Sequence, residues 1–476
     1  MKSGSVKSSK LNPFWLGPAL LVAMPVWCQQ PSGAPDQTSV PPANSAANAD
    51  TGSDSAPVNS EDRMVTPPPV SGQSYPTASV SQERSNYLRG GVLFSTAYTD
   101  NAVGLVNGHP ESDVSYSVAP TLAIDETTTR THFVMTYAPG FTFYQRFNSR
   151  NEADQNAAID FQYRLSPHVT FAAHDGFQKS SSVFTQPDLG SAGAVSGGTE
   201  GGNFSVIAPI ADHLTNTGNV GLTYQFALNE MIGASGTFTN LHYPNQSEVP
   251  GLFDAESQGG SAFYAIRISK VNYLGVAYQY QRLQSFPTLG TNETQTHALL
   301  LFYTLRPSTR FSISVFGGPQ YAELGPQFST TGSTPSPASN SWNPEAGGSV
   351  SWQGRVTNLA VSYAHMISSG AGLIGAVRQD MGSVSIGQQL SKTLSASLGG
   401  MYAQNDLLAA SLASDNGHTV SGTASLQQQV GQHLNVQLGY TRLHQVYSGV
   451  AILAGTPDTN REFVALSYQF SRPLGR

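Results

Sequence analysis

From Asn86 onward the chain is written in alternating apolar and polar positions. Over 157–165, Ala157, Ile159, Phe161, Tyr163 and Leu165 form one face, and Ala158, Asp160, Gln162 and Arg164 the other. Val220, Leu222, Tyr224 and Phe226 alternate with Gly221, Thr223 and Gln225, and Leu434, Val436, Leu438 and Tyr440 with Asn435, Gln437, Gly439 and Thr441. Side chains of a strand point to opposite faces in turn, so a period of two predicts strands with one apolar face. A soluble sandwich alternates in the same way, and the alternation alone leaves both architectures open.

The connections separate them. Short breaks, such as Ser166-Pro167, Asn229-Glu230, Pro307-Ser308, Ser391-Lys392 and Gly431-Gln432, alternate with longer stretches rich in Gly, Ser, Asn and Pro at 100–111, 179–213, 244–256, 285–292, 322–342, 406–415 and 448–458. That rhythm predicts an up-and-down transmembrane barrel with short turns at the periplasmic end and long loops outside. The fold class expected is all-β, a closed antiparallel barrel of about 18 strands (16–18), with roughly 22 residues per strand and connection over 86–476. Aromatic residues add a directional signal. They gather late in returning strands (Phe161/Tyr163, Tyr224/Phe226, Tyr303, Tyr468/Phe470) and late in outgoing ones (Phe238/Tyr243, Tyr278/Tyr280, Tyr402, Tyr440/Tyr447), which predicts two interfacial belts.

Composition agrees. Charged residues are 11% of the chain and hydrophobic ones 39%. Soluble proteins carry about 25% charged residues, and a helical membrane protein needs apolar runs of about 20. A barrel reconciles low charge with modest hydrophobicity, because only alternate residues meet lipid. The net charge of −7 offers no basic footprint for nucleic acid.

The N-terminus reads as a signal peptide over 1–28. Lys2, Lys7 and Lys10 precede an apolar core from Phe14 to Met24, Pro25 breaks it, and Val26 and Cys28 suit the −3 and −1 positions of cleavage before Gln29. Lipidation of Cys28, the single cysteine, is the alternative, although Trp27 is large for a lipoprotein signal. Residues 29–85 are rich in Pro, Ser, Ala, Asn and Thr and poor in bulky apolar residues, which predicts a disordered linker. Residues 86–476 form the barrel domain.

At the C-terminus Val464, Leu466, Tyr468 and Phe470 alternate up to a last aromatic residue, trailed by Ser471 to Arg476. This resembles the C-terminal strand signal that Gram-negative outer-membrane barrels present to their assembly machinery. With the leader and the hairpin rhythm, residues 86–470 are similar to porin-like outer-membrane barrels. The narrowest kinship within them is with barrels that serve exopolysaccharide export. The resemblance implies residence in the outer membrane and, as partners, its lipid, the barrel-assembly machinery, polysaccharide-export components and polar solutes or saccharides.

Charged residues assigned to the inward face are Asp125, Arg146, Asp160, Arg164, Arg267 and Arg310. They would set a weak field for a channel, or they would pair across strands and brace the wall. The rest of that face reads as Gly, Ala, Ser, Thr, Gln and Asn, which exchange hydrogen bonds with sugar hydroxyls. The glycine-rich stretch 179–213 is either a constriction folded into the lumen or a mobile surface loop. Three functions follow: a channel for polar solutes such as saccharides, a closed structural or adhesive barrel with binding loops, or a hydrolase using His365 near Ser368 and Ser369. No catalytic motif supports the last. His174 and Asp175 are adjacent and point to opposite faces. The scattered histidines give no metal-binding pair, and no cofactor is expected.

Overall fold

The computed structural model describes residues 86–102, 105–106, 109–180, 212–308, 310–328, 335–370, 372–409, 416–447 and 458–474. The expected signal peptide, linker and most of the 179–213 stretch lie outside the described residues.

Eighteen strands form one sheet. They are β1 (Asn86–Thr99), β2 (Asp113–Thr127), β3 (Thr131–Tyr144), β4 (Glu152–Arg164), β5 (Val169–Ser180) and β6 (His213–Ala227). Next come β7 (Glu230–His242), β8 (Ala255–Ser269), β9 (Asn272–Ser285), β10 (Asn292–Ser308), β11 (Phe311–Leu324) and β12 (Ser339–Gln353). The last are β13 (Thr357–Ser368), β14 (Val377–Gln389), β15 (Leu394–Leu407), β16 (Gly417–Val430), β17 (Leu434–Tyr447) and β18 (Asp458–Pro473). Each strand pairs antiparallel with its sequence neighbours, and β1 pairs with β18 from Tyr87↔Pro473 to Thr99↔Arg461. The sheet is therefore a closed barrel without an open edge, which is how a β-structure satisfies its backbone groups where water is absent.

The expected rhythm of connections is present. Turns of two to four residues alternate with loops of six or more, and both ends of the barrel domain lie on the short-turn side. Several boundaries shift by one to three residues. Pro307 and Ser308, read as a turn, end β10, and Glu230 opens β7. A loop at 369–376, absent from the sequence reading, joins β13 to β14.

The two faces of the wall are told apart by contacts. One apolar cluster joins Leu283 of β9, Leu324 of β11, Leu407 of β15 and Tyr447 of β17. Strands that far apart around a barrel meet only through its interior, so this face is inside. The opposite face carries large exposed apolar residues on nearly every strand, among them Phe94, Leu122, Leu222, Leu301, Leu398 and Leu438. The outer wall is thus apolar and the alternation is an inside–outside register. Most of the aromatic residues expected in the belts face outward. Two do not: Tyr243 and Tyr447 are 4% and 1% exposed and sit in the interior cluster. Beyond the outer apolar band, at the loop-side ends of the strands, outward residues turn polar. Arg282 meets Glu293 at 2.7 Å, His365 meets Asp380 at 2.8 Å, and His444 meets Asp458 at 3.0 Å.

Candidate functional site

The interior has three chemically distinct surfaces. The first is hydroxyl- and amide-lined. Inward positions such as Thr136, Asn156, Asn219, Gln279, Gln320 and Thr419 are buried, and they supply donors and acceptors from around the wall. Neighbouring hydroxyls are cross-linked, as Ser235 to Ser261 at 2.8 Å and Thr304 to Ser314 at 3.0 Å.

The second surface carries charge, and most of it is gathered in one sector. Following the register from Asp125, the inward ionisable groups of β1–β5 are Arg89, Asp113, Asp125, His132, Glu152, Asp154, Asp160, Arg164 and His174, with Arg461 on neighbouring β18. Outside it the inward set among the described strand residues is His213 of β6 and Arg267, Arg306 and Glu345 of β7–β17. Within the sector the groups meet across strands. Asp125 lies 3.2 Å from the Arg89 guanidinium and 3.7 Å from His132 Nε2. Asp160 lies 2.6 Å from His174 Nδ1, and the Tyr144 hydroxyl donates to Glu152 at 2.6 Å.

Of the six charges expected inside, Asp125, Asp160 and Arg164 project inward from strands of this sector. Arg267 lies at the turn-side end of β8, where its guanidinium donates to Asn229 and to the Leu228 carbonyl at 2.9 and 3.0 Å. Arg146 and Arg310 depart from the expectation. Arg146 lies in the loop after β3, its side chain 60% exposed and 3.8 Å from Glu111, and Arg310 occupies the turn between β10 and β11. Parity assigns a face only to residues inside a strand, and both lie past a strand end. Val464, Leu466, Tyr468 and Phe470 line the outer face of β18.

The third surface is apolar and was not legible in the alternation. Met231, Phe263, Tyr273, Leu300 and Phe302 form a buried cluster on the inner face of β7–β10, with Phe316 of β11 against it. Its rings lie flat on glycines of adjacent strands. A Cβ at Gly233 would fall 2.2 Å from Phe263, and one at Gly275 2.2 Å from Phe302. A ring that covers a glycine projects little into the interior, which keeps the wall thin.

At the loop end the interior is narrowed from the β7–β15 side. The loop 369–376 folds inward and places Leu373 and Ile374, each 1% exposed, among Tyr243, Val249, Leu252, Phe253 and Leu407. Polar bonds fix its path. The Ser285 hydroxyl and the Asn292 amide both donate to the Ile374 carbonyl, at 2.6 and 2.5 Å, and the Phe253 N–H donates to the Gly372 carbonyl at 2.7 Å. Gly372 has φ +97°, and a Cβ there would sit 2.8 Å from the Tyr243 hydroxyl, so both backbone and space demand glycine. Burial, with the Asp254 carboxylate near by, pushes the Tyr243 hydroxyl up, so it stays protonated. Below, Gln379 donates to Asn405, and Asn405 to the Tyr447 hydroxyl, at 3.1 and 2.8 Å.

No protein-family model matches the chain, and no curated protein matches it. Among solved structures it is similar to Acinetobacter baumannii OccAB4, at 9% identity over 82% of this chain and 99% of that chain, with a TM-score of 0.40. It is similar to Pseudomonas aeruginosa OpdQ, at 12% identity over 81% of this chain and 99% of that one, with a TM-score of 0.38. The FrpB iron transporter of Neisseria meningitidis (F5-1 variant, apoprotein form) is 8% identical over 81% of both chains, with a TM-score of 0.37. At this degree of likeness the functional reading rests on the barrel itself.

The hydrolase arrangement is not assembled. His365 faces outward to Asp380, whereas Ser368 lies on the other face and donates to Gln379 at 3.3 Å. His174 and Asp175 face opposite sides, and His174 bonds Asp160 instead. Among the described residues no three metal-ligating side chains converge, and no helix is long and apolar enough to cross a membrane, which leaves strand crossing untouched.

Proposed function

We propose that this chain is an outer-membrane channel for polar solutes, uncharged or weakly cationic, with saccharides as the solute class its lining suits. The observation that carries the reading is the pairing of an apolar outer wall with an inner wall of hydroxyls and amides in one closed sheet. Such a wall is stable only between lipid and water. Hydroxyl and carboxamide groups can exchange hydrogen bonds with sugar hydroxyls one for one. The charged sector carries more acids than arginines: Asp113, Asp125, Glu152, Asp154 and Asp160 against Arg89, Arg164 and Arg461. It supports a modest preference for cations. Single-channel recording in planar bilayers tests this. The expected result is discrete steps with a reversal potential on the cation side in a salt gradient, reduced by added maltodextrin. Anion preference would sink the electrostatic part, and indifference to every saccharide the solute class.

A second reading, a closed barrel with a structural role, is favoured by the inward loop 369–376 and its apolar seat. The two readings part on one variant, Leu373→Ser with Ile374→Ser, which unseats the loop. A channel narrowed at its mouth gains conductance in this variant. A barrel closed along its whole length stays silent in both forms.

A further inference from the structure

On the reading that the outer wall faces a bilayer, we infer that the face of β4–β8 holds one acylated lipid, whose phosphate meets Lys179 and whose N–H or O–H donors, just beneath the phosphate, meet Asp175. The starting point is a carboxylate in an apolar setting. Asp175 is exposed and shares the outward row of β5 with Phe171, Ala173, Phe177 and Lys179. Among the described residues it has no hydrogen-bond or ion-pair partner. An ionised group facing hydrocarbon is costly unless hydrogen bonds or an opposite charge reach it. Its surroundings leave room for such a partner. Gly218 lies directly opposite, where a Cβ would fall 3.5 Å from Asp175 Oδ1, and Gly236 follows on β7. The result is an outer-wall groove of about 660 Å³, walled by Ile159, Phe161, Val220 and Phe238, with Gln258 as a further polar group. The depression is shallow and open along one side, which suits the flank of one lipid lying against the wall.

Depth and pairing together decide against a second copy of the chain. Copies in one bilayer sit at one level. Among the described residues the outward cations nearest the level of Asp175, Arg282 and Arg442, already meet Glu293 and Asp458 at 2.7 and 3.4 Å, and Lys179, Arg378 and Arg472 lie close to strand ends, so a neighbour offers no spare cation at that depth. Lys179 stands four residues toward the loops on the same face, about 13 Å along the strand. Its long stem can lie along the wall toward Asp175, so that the ammonium meets an anion a few ångströms above the carboxylate. The face therefore reads, from rim to band, as a cation, then an acceptor, then an apolar groove. A phosphate-bearing lipid with amide or hydroxyl donors below its phosphate matches that order. A diacylglycerol phosphate does not, since its ester groups are acceptors only.

Native mass spectrometry of the folded full-length protein in detergent, loaded with ceramide 1-phosphate or with phosphatidic acid, tests the inference. The expected result is one retained ceramide 1-phosphate, favoured roughly tenfold over phosphatidic acid, the factor a charge-assisted hydrogen bond supplies. Asp175→Ala abolishes the preference and leaves phosphatidic acid retention unchanged, Lys179→Ala weakens both, and Gly218→Leu blocks both. Equal retention of the two lipids by the wild type, or an undiminished preference in Asp175→Ala, overturns the inference. Insertion into liposomes is scored in parallel. A barrel that inserts without discriminating lipids defeats this inference alone, whereas a protein that cannot insert defeats the membrane reading beneath it.

Discussion

Individual side chains in this wall are constrained by which side of a single sheet they occupy. Leu438 is 56% exposed on the outer face, and its neighbour Gln437 points inward and is half-buried. Leu438→Arg is expected to cost about 2–4 kcal/mol, the range for a cation at the midplane of a barrel's lipid face, and Gln437→Arg far less. Equilibrium urea unfolding in lipid vesicles measures both, and equal costs would mean that the register is inverted. Leu222 and Thr223, adjacent on β6, would be a poorer test. Thr223 is 5% exposed, so an arginine there meets neighbours even on the inner face. The glycines under aromatic rings give a second expectation. Gly275→Val would drive a side chain into Phe302 and is expected to destabilise by about 1–3 kcal/mol, the usual cost of overpacking. Gly399, with open space around its Cβ position, is the control and should accept alanine freely.

Among the elements, strands and short turns were readable because each obeys a local rule. Leu222, Leu438 and Val464 face outward where their parity places them, and turns such as 431–433 and 390–393 fall where Gly, Ser and Lys interrupt the pattern. The candidate site was legible only in part. Asp125, Asp160 and Arg164 project inward as parity requires, but their partners Arg89, His132 and His174 come from pairing, which no local pattern encodes. The loop 369–376 is not marked by composition as the other long loops are, because Leu373 and Ile374 at its centre are apolar, and their apolar character serves the interior rather than lipid. The cluster of Phe263, Leu300 and Phe302 is unmarked for a related reason, since β10 is apolar on both faces over Ala298–Phe302. Asn292 offers a test of the inward loop. It donates to the Ile374 and Phe328 carbonyls and accepts from the Phe328 N–H, so Asn292→Ala removes three bonds at once. The expected outcome is faster amide exchange confined to 369–376 and its neighbours, with strand protection unchanged. Exchange that rises uniformly around the barrel would mean that the loop is part of the global fold rather than a separately seated element.

At the scale of the molecule, the barrel is polarised around its circumference as well as across its wall. One interior sector carries nearly all the inward charge, and the facing arc carries the apolar cluster and the seated loop. A solute would pass between an acidic, hydrogen-bonding side and a neutral one. Cations would then be favoured through local potential rather than a narrow ring of charge. Asp160→Asn combined with Asp154→Asn is expected to lower the cation preference without lowering conductance, read from reversal potentials in a salt gradient. The central claim is that this wall encloses a water-filled path opening past the loop 369–376. Planar-bilayer recording of the wild type beside the Leu373→Ser, Ile374→Ser variant tests it most directly. Discrete conductance in the wild type, larger in the variant, is the predicted result. Silence from both, with insertion of the folded barrel verified in the same membranes, would contradict it.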